Sequence, residues 1–169
     1  MELNAKERLA FIYQLRILEK LYSDDENHYA KKRTALECGF TLDYITDELD
    51  LDDELSVNDC KEVLDILDMY TAITLSIKNL KENKEELENH HYAKFQGFDG
   101  NHESKLLSYT KYRIKDLDQY KELQKIKTDF NSHSRMLEQY RKMLREWQKI
   151  DVVLGDNMSK NDLNSVLNC

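Results

Sequence analysis

Three side chains that could donate or accept protons lie close together in the chain, at Asp99, His102 and Glu103. A carboxylate beside an imidazole is a common arrangement in acid–base catalysis. Such catalysis also needs a nucleophile or a metal, and the neighbouring sequence offers neither. Asp and Glu are equally favoured at the start of a helix, where unpaired N–H groups and the helix dipole attract carboxylates. We therefore interpret this cluster as a helix start and leave the catalytic residues unassigned.

The metal-binding residue types are scattered. A zinc site needs three or four convergent ligands, and neither the cysteine nor the histidine spacing matches a zinc motif or a disulfide framework. His90 and His91 are adjacent, so they cannot share one face of a helix. We predict no metal and no cofactor. The remaining residues of these types are His28, His133, Cys38, Cys60 and Cys169, with Cys60 predicted to be a buried thiol on an apolar helical stripe.

Two weak motifs point towards phosphate or DNA. Gly97 and Gly100 precede a predicted helix, as in a phosphate-binding loop, but the Lys-Ser/Thr ending and the preceding strand are missing. A short helix after Gly39 loosely resembles the second helix of a helix-turn-helix. That helix region carries acidic residues and no Lys or Arg, so it would repel DNA phosphates. Its acidic residues are Asp43, Asp47, Glu48 and Asp50.

A basic and aromatic helix near the C-terminus could contact RNA, because aromatic rings stack on unpaired bases. Its basic residues are His133, Arg135, Arg141, Lys142 and Arg145, and its aromatic residues are Tyr140 and Trp147. Both aromatic residues, however, fall on an apolar face with the three- and four-residue spacing of a buried helix side. That face consists of Leu137, Tyr140, Leu144 and Trp147. We therefore predict that the two rings belong to the core.

Charge is unevenly distributed along the chain. The overall net charge is −8, residues 40–68 hold eleven acidic residues and one basic residue, and residues 103–149 hold twelve basic and seven acidic residues. A net acidic chain is a poor candidate for general nucleic-acid binding. The two segments could meet across an interface or remain separate solvated faces.

The positioning elements are predicted to be helices, giving an all-α fold. The chain has no proline and four glycines, which permits long helices, and no segment alternates apolar and polar residues as a strand would. No apolar run is long enough to span a membrane or to form a signal peptide. We therefore expect a cytoplasmic protein with no membrane partner.

Capping residues mark the predicted helix ends. Asn4 with Glu7, Ser23 with Glu26, Ser56 with Asp59 and Ser159 with Asp162 have the spacing of N-terminal caps. Gly39 is a typical C-terminal stop, and Ser132 or Ser134 is predicted to open the last long helix. These signals predict six to seven helices in one domain spanning 1–169.

The central element is predicted to be a long helix over 57–80, in which thirteen of twenty-four residues are apolar. A helix this apolar needs contacts on several sides. Its wide face and the regular face of the last long helix favour a homo-oligomer. The polar segment 81–94 is predicted to be a solvated extension or a linker between two helical subregions.

Several segments resemble the YfbU family of bacterial proteins of unknown function. The most specific are the Gly-Phe-Asp turn at 97–99 and the Tyr-x-x-Met-Leu-x-x-Trp pattern at 140–147. The resemblance implies an all-α fold, a bacterial or phage source and no established catalytic residues. The other matching segments are 4–9, 33–40, 65–70, 95–96, 130–131, 136–139 and 158–163.

Two functional hypotheses follow. The first is a non-enzymatic protein-interaction or regulatory module. It would act through helical surfaces that bind a second copy of the chain or other proteins. The alternative is an RNA-acting factor or enzyme that uses the basic C-terminal half. We favour the first, because the sequence assembles no catalytic site and its net acidic charge makes nucleic acid an unfavourable partner.

Overall fold

The computed structural model describes residues 3–45, 53–81, 84–126, 129–150 and 157–169. Of these described residues 68% are helical, and the same ranges contain nine α-helices and no β-strand. The predicted all-α class is therefore confirmed, with two short helices beyond those predicted. No helix within the same ranges has the length and hydropathy to cross a membrane. The contacts divide the chain into an N-terminal unit, 1–54, and a C-terminal unit, 55–169, while the single domain over 1–169 stays a prediction.

The N-terminal unit is a helical hairpin followed by a short helix. Helix α1 spans Ala5–Leu21, α2 spans Glu26–Cys38 and α3 spans Thr41–Ile45. The predicted capping box of Asn4 and Glu7 is present at the start of α1. The predicted cap at Ser23 is wrong, because a 3-10 turn over Ser23–Asp25 leads directly into α2 and leaves Ser23 one turn too early.

Few side chains of the N-terminal unit are buried. Among its described residues the buried apolar side chains are Ile12, Ala35 and Leu36. Charged pairs supplement this small core: the Arg33 guanidinium lies 2.6 Å from Glu19 and 2.8 Å from Glu37. The hairpin therefore buries one side of α1 and leaves the other in solvent.

The C-terminal unit is built on the predicted central helix, α4, which spans Val57–Asn79. Ser56 caps it as predicted, accepting the Asp59 N–H at 3.1 Å. Helices α5, α6, α7 and α8 all contact α4, which agrees with the expectation that it is approached from several sides. The remaining elements are α5 (Lys84–Glu88), α6 (Ser104–Lys111), α7 (Lys121–Gln124), α8 (Leu137–Trp147) and α9 (Lys160–Leu167).

The apolar face of α4 is covered by its own chain. Fully burying one such side chain contributes about 1.5–3 kcal/mol, so this row supplies much of the stability of the unit. The predicted homo-oligomer therefore gains no support from an uncovered α4 face. The six residues with 0% exposure are Val63, Ile66, Leu67, Met69, Tyr70 and Ile73.

Residues 84–94 differ from the predicted solvated linker. Helix α5 and the turn after it pack onto the core, with Leu87 2% and Ala93 4% exposed. Leu87 and Ala93 are six positions apart and lie among polar residues. They form no helical or strand periodicity, so the sequence pattern did not predict their burial. The division between the units falls at residues 54 and 55, well before this segment.

The predicted helix from His102 to Tyr120 is interrupted. Helix α6 ends at Lys111 and continues as a π-helical turn over Tyr112–Asp116. Asp118 and Tyr120 then take left-handed backbone conformations, with φ of 51° and 52°, which turn the chain into α7. The predicted acidic residues Asp47, Glu48 and Asp50 lie outside the described residues.

Candidate functional site

Asp99 and His102 form a hydrogen-bonded pair just before α6. The Asp99 side chain is 5% exposed, whereas that of His102 is 53% exposed. The hydrogen bond from His102 lowers the pKa of Asp99, and a bond from the Asn101 N–H lowers it further. The Asp99 carboxylate is therefore held ionised by local donors, and its partner imidazole faces solvent on one side.

Glu103 is occupied by backbone donors. Its carboxylate accepts the N–H groups of Asp99 at 3.0 Å, Met136 at 3.0 Å and Leu137 at 3.0 Å. It therefore caps the start of α8, which lies far along the chain, and is not free to exchange a proton with a substrate. Glu103 is the N-cap residue of α6, but its side chain makes no capping bond to that helix; the carboxylate instead joins the Asp99 turn to the start of α8.

Gly97 and Gly100, the two glycines of the weak phosphate motif, allow their own backbone to approach the segment 130–132 closely. Phe98 donates to the Phe130 carbonyl at 3.0 Å and accepts from the Ser132 N–H at 3.1 Å. Gly97 has a φ of 85°, and a Cβ atom there would lie 1.8 Å from the Phe130 carbonyl oxygen. The Gly100 N–H donates to the Asn131 side chain at 3.1 Å. These glycines therefore join two loops of the protein.

Tyr140 lies at the centre of the aromatic core. Its hydroxyl donates to the Gly97 carbonyl at 2.9 Å and accepts from the Gln96 N–H at 3.2 Å. Its ring packs edge-on against Tyr70, with centroids 5.3 Å apart. Burial raises the pKa of Tyr140. The predicted core position of this ring is therefore confirmed, and the ring is inaccessible for stacking on a nucleobase.

One arginine of the basic helix face is engaged by carboxylates. The Arg141 guanidinium makes two hydrogen bonds to Glu62, at 2.6 and 2.8 Å, and one to Glu138 at 2.7 Å. Trp147 is partly buried against the core. Arg135 is close enough to Asp99 to help lower its pKa.

The metal-binding residue types stay apart within the described ranges, where no three His, Cys, Asp or Glu side chains form a group that could hold a metal ion. His90 accepts the Tyr92 N–H through Nδ1 at 3.2 Å, and the exposed His91 packs against Tyr92. Cys60 is half-buried and not fully buried as predicted, while Cys38 and Cys169 are exposed. No disulfide joins these three thiols.

A row of exposed apolar side chains lies on α1. Four large apolar residues at four-residue spacing lie on one side of the helix: Leu9, Tyr13, Ile17 and Leu21, which are 48%, 55%, 59% and 69% exposed. We call this set the α1 stripe. Ile12 is the one residue of α1 that is buried. The regular four-residue spacing is the signal that could have separated the two faces.

Charged residues lie near both ends of the α1 stripe. Lys6 is exposed on the first turn of α1, and Asp24 and Asp25 are exposed in the 3-10 turn that follows the helix. Glu7 lies in the same first turn and Lys20 in the last turn of α1, so each end of the stripe carries both signs of charge. Contiguous exposed apolar surface with a polar rim is typical of protein–protein interaction sites.

Comparisons with known proteins agree with the sequence resemblance. The model of the YfbU domain matches residues 1–169. A UPF0304 protein of Methanocaldococcus jannaschii is 37% identical over 147 residues, which cover 84% of this chain and 85% of that protein. The chain belongs to the YfbU family.

Proposed function

We propose that this protein is a non-enzymatic interaction module that associates with a second copy of itself through the α1 stripe. The observation that carries the proposal is the exposure of Leu9, Tyr13, Ile17 and Leu21 along one side of a single helix. Removing apolar surface from water contributes roughly 25 cal/mol for each Å² buried. A partner that covers all four side chains would therefore be bound favourably.

The spacing of the α1 stripe favours a second copy as the partner. In an antiparallel pair with its two-fold axis at the level of residue 15, Tyr13 of each copy lies opposite Ile17 of the other. Leu9 then lies opposite Leu21. A two-fold axis repeats each contact, so one stripe covers the other along its whole length without a second type of surface.

Two of the charges near the stripe, Lys6 and Asp24, suit the same orientation. An antiparallel pair brings Lys6 of one copy to the level of Asp24 of the other, and the symmetry repeats this pair. A parallel arrangement would instead place Lys6 near Lys6 and Asp24 near Asp24. Exposed ion pairs contribute little to affinity, about 0–1 kcal/mol each, but opposed charges suppress the wrong orientation.

Other predictions belong to the same proposal. Three free cysteines support a reducing, cytoplasmic location, and a bacterial or phage source stays a prediction. The alternative of an RNA-acting factor or enzyme gains no support from α8, because Tyr140 is buried and Arg141 is paired with Glu62.

A matched pair of substitutions tests the surface. Ile17→Asp places a charge in the middle of the α1 stripe, whereas Val57→Asp places one at the start of α4, where Val57 is 70% exposed and the helix dipole tolerates an acid. Sedimentation velocity should find Ile17→Asp monomeric at concentrations where the wild type and Val57→Asp are dimeric. A dimeric Ile17→Asp protein with unchanged circular dichroism would refute the proposal.

Charge exchange tests the orientation. Lys6→Glu and Asp24→Lys should each weaken the dimer, since each brings like charges together across the antiparallel interface. The double variant should recover the wild-type dissociation constant, because it restores two opposite pairs with reversed polarity. Failure of the double variant to recover affinity would exclude the antiparallel arrangement. The Ile17→Asp variant would still test, independently, whether the stripe is the interface.

A further inference from the structure

A pocket with a volume of about 240 Å³ opens in the C-terminal unit beside the last turns of α4. Ile77, Ala93 and Ile126 form its apolar part. Ile77 and Ala93 are 5% and 4% exposed and belong to the core, so this wall of the pocket is fixed by packing. Ligand pockets for drug-sized molecules are about 300–1,000 Å³, so this one suits a smaller molecule.

The polar rim of the pocket is positively charged. Lys78, Lys84 and Lys94 contribute three ammonium groups and Glu88 one carboxylate, which gives a formal charge of +2 (three minus one). Lys84 neutralises Glu88 at 3.2 Å. Lys78 lies 3.9 Å from Glu122. Lys94 is the rim lysine outside these two pairs, and its positive charge would attract an anion to the rim.

One wall residue has unused hydrogen-bonding capacity. Thr74 lines the pocket, and its hydroxyl oxygen is buried without a hydrogen-bond partner in the described part of the chain. Buried polar groups are nearly always paired. The hydroxyl oxygen is not accessible as placed, so a hydrogen bond to a molecule in the pocket requires rotation about χ1, which exchanges the methyl and hydroxyl groups of threonine.

We propose that this pocket binds a small organic anion, with an apolar body the size of a benzene ring and one carboxylate or phosphate group. The apolar part holds the body and the lysine rim holds the anionic group. The proposal also accounts for the polar composition of residues 81–94, since Lys84, Glu88 and Lys94 all belong to the rim. It does not depend on self-association, because the pocket lies entirely within the C-terminal unit.

Titration with model compounds tests the proposal. Benzoate and phenyl phosphate are added to the ¹⁵N-labelled full chain, with inorganic phosphate and benzyl alcohol as probes of charge alone and of the ring alone. The aromatic anions should produce saturable shifts at the backbone amides of Ile77, Ala93, Lys94 and Ile126, and the tighter of the two identifies the anionic group. Equal saturation by inorganic phosphate, or shifts centred on the α1 stripe, would overturn the proposal.

A pair of lysine substitutions supplies the control. Lys94→Gln should weaken binding of the aromatic anion by about threefold or more at low salt, where exposed charges are least screened. Lys142→Gln removes an exposed lysine of α8, outside the pocket, and should leave the dissociation constant unchanged. Both positions are exposed, so both variants should fold. Equal weakening by the two substitutions would show that binding follows net charge and would refute a defined site.

Discussion

Glu103 accepts the backbone N–H of Met136 with both of its carboxylate oxygens, at 3.0 and 3.2 Å, although the two residues lie 33 positions apart. The first N–H groups of a helix have no partner within the helix, and Met136, the N-cap residue of α8, has no side-chain cap. Glu103, which is distant in the sequence, acts as the cap by accepting these N–H groups. The turn before α6 and the start of α8 are thereby held together.

Glu103→Ala should destabilise the protein by about 1–3 kcal/mol, because it leaves several partly buried N–H groups without an acceptor. Glu138→Ala is the matched control, since the Glu138 side chain is 80% exposed and such surface changes usually stay within about 0.5 kcal/mol. Urea unfolding of the two variants measures the difference. Equal midpoints would show that the Glu103 cap contributes nothing.

Tyr140→Phe should cost about 1–3 kcal/mol, because it removes both the acceptor of the Gln96 N–H and the donor to the Gly97 carbonyl in a buried place. Tyr112→Phe removes a hydroxyl from a residue that is 47% exposed and should be nearly neutral. Thermal unfolding followed by circular dichroism compares them. The prediction fails if the two variants have the same melting temperature.

Gly97→Ala should prevent folding or destabilise by more than about 4 kcal/mol, the range reserved for severe changes. Its Cβ would overlap the Phe130 carbonyl, and its φ of 85° strains any L-residue. Gly100→Ala should cost less, since its closest contact is a side-chain atom of Asn131 at 2.9 Å. Soluble yield and unfolding midpoints distinguish them, and a Gly97→Ala protein as stable as Gly100→Ala would contradict the loop geometry.

Asp99 should contribute stability that depends on pH. Its pKa is lowered in the folded state, chiefly by His102, so its contribution is complete above the unfolded pKa of about 3.9 and is lost as the pH falls through the lower folded value. The melting temperature of Asp99→Asn should therefore lie furthest below that of the wild type above about pH 5, and the gap should close below about pH 4. Asp116→Asn, on an exposed residue, should show no such trend. A gap that widens in acid would reverse the assigned sign.

Local signals predicted much of the fold. The caps at Asn4, Ser56 and Ser159 act within three residues, and the end of α2 follows from the left-handed Gly39. The central position of α4 followed from its apolar content. Each of these features depends on a few consecutive residues, which is why the sequence alone was sufficient.

Features that depend on distant residues were missed. The Glu103 cap and the Tyr140 hydrogen bonds join positions 33 to 44 residues apart, and no local pattern indicates them. Helix α8 begins at Leu137 and not at Ser132 or Ser134 as predicted. Phe130 and His133 adopt left-handed φ values of 52° and 56° before it, between the loop contacts and the Glu103 cap.

The mass of the unmodified chain in solution tests the central proposal most directly. Light scattering coupled to size exclusion at micromolar concentration should give about twice the chain mass of 20.2 kDa. The same value should persist in about 1 M salt, where the Debye length is only about 3 Å, because apolar burial by the α1 stripe holds the pair together. A mass near 20.2 kDa at low salt would contradict self-association altogether.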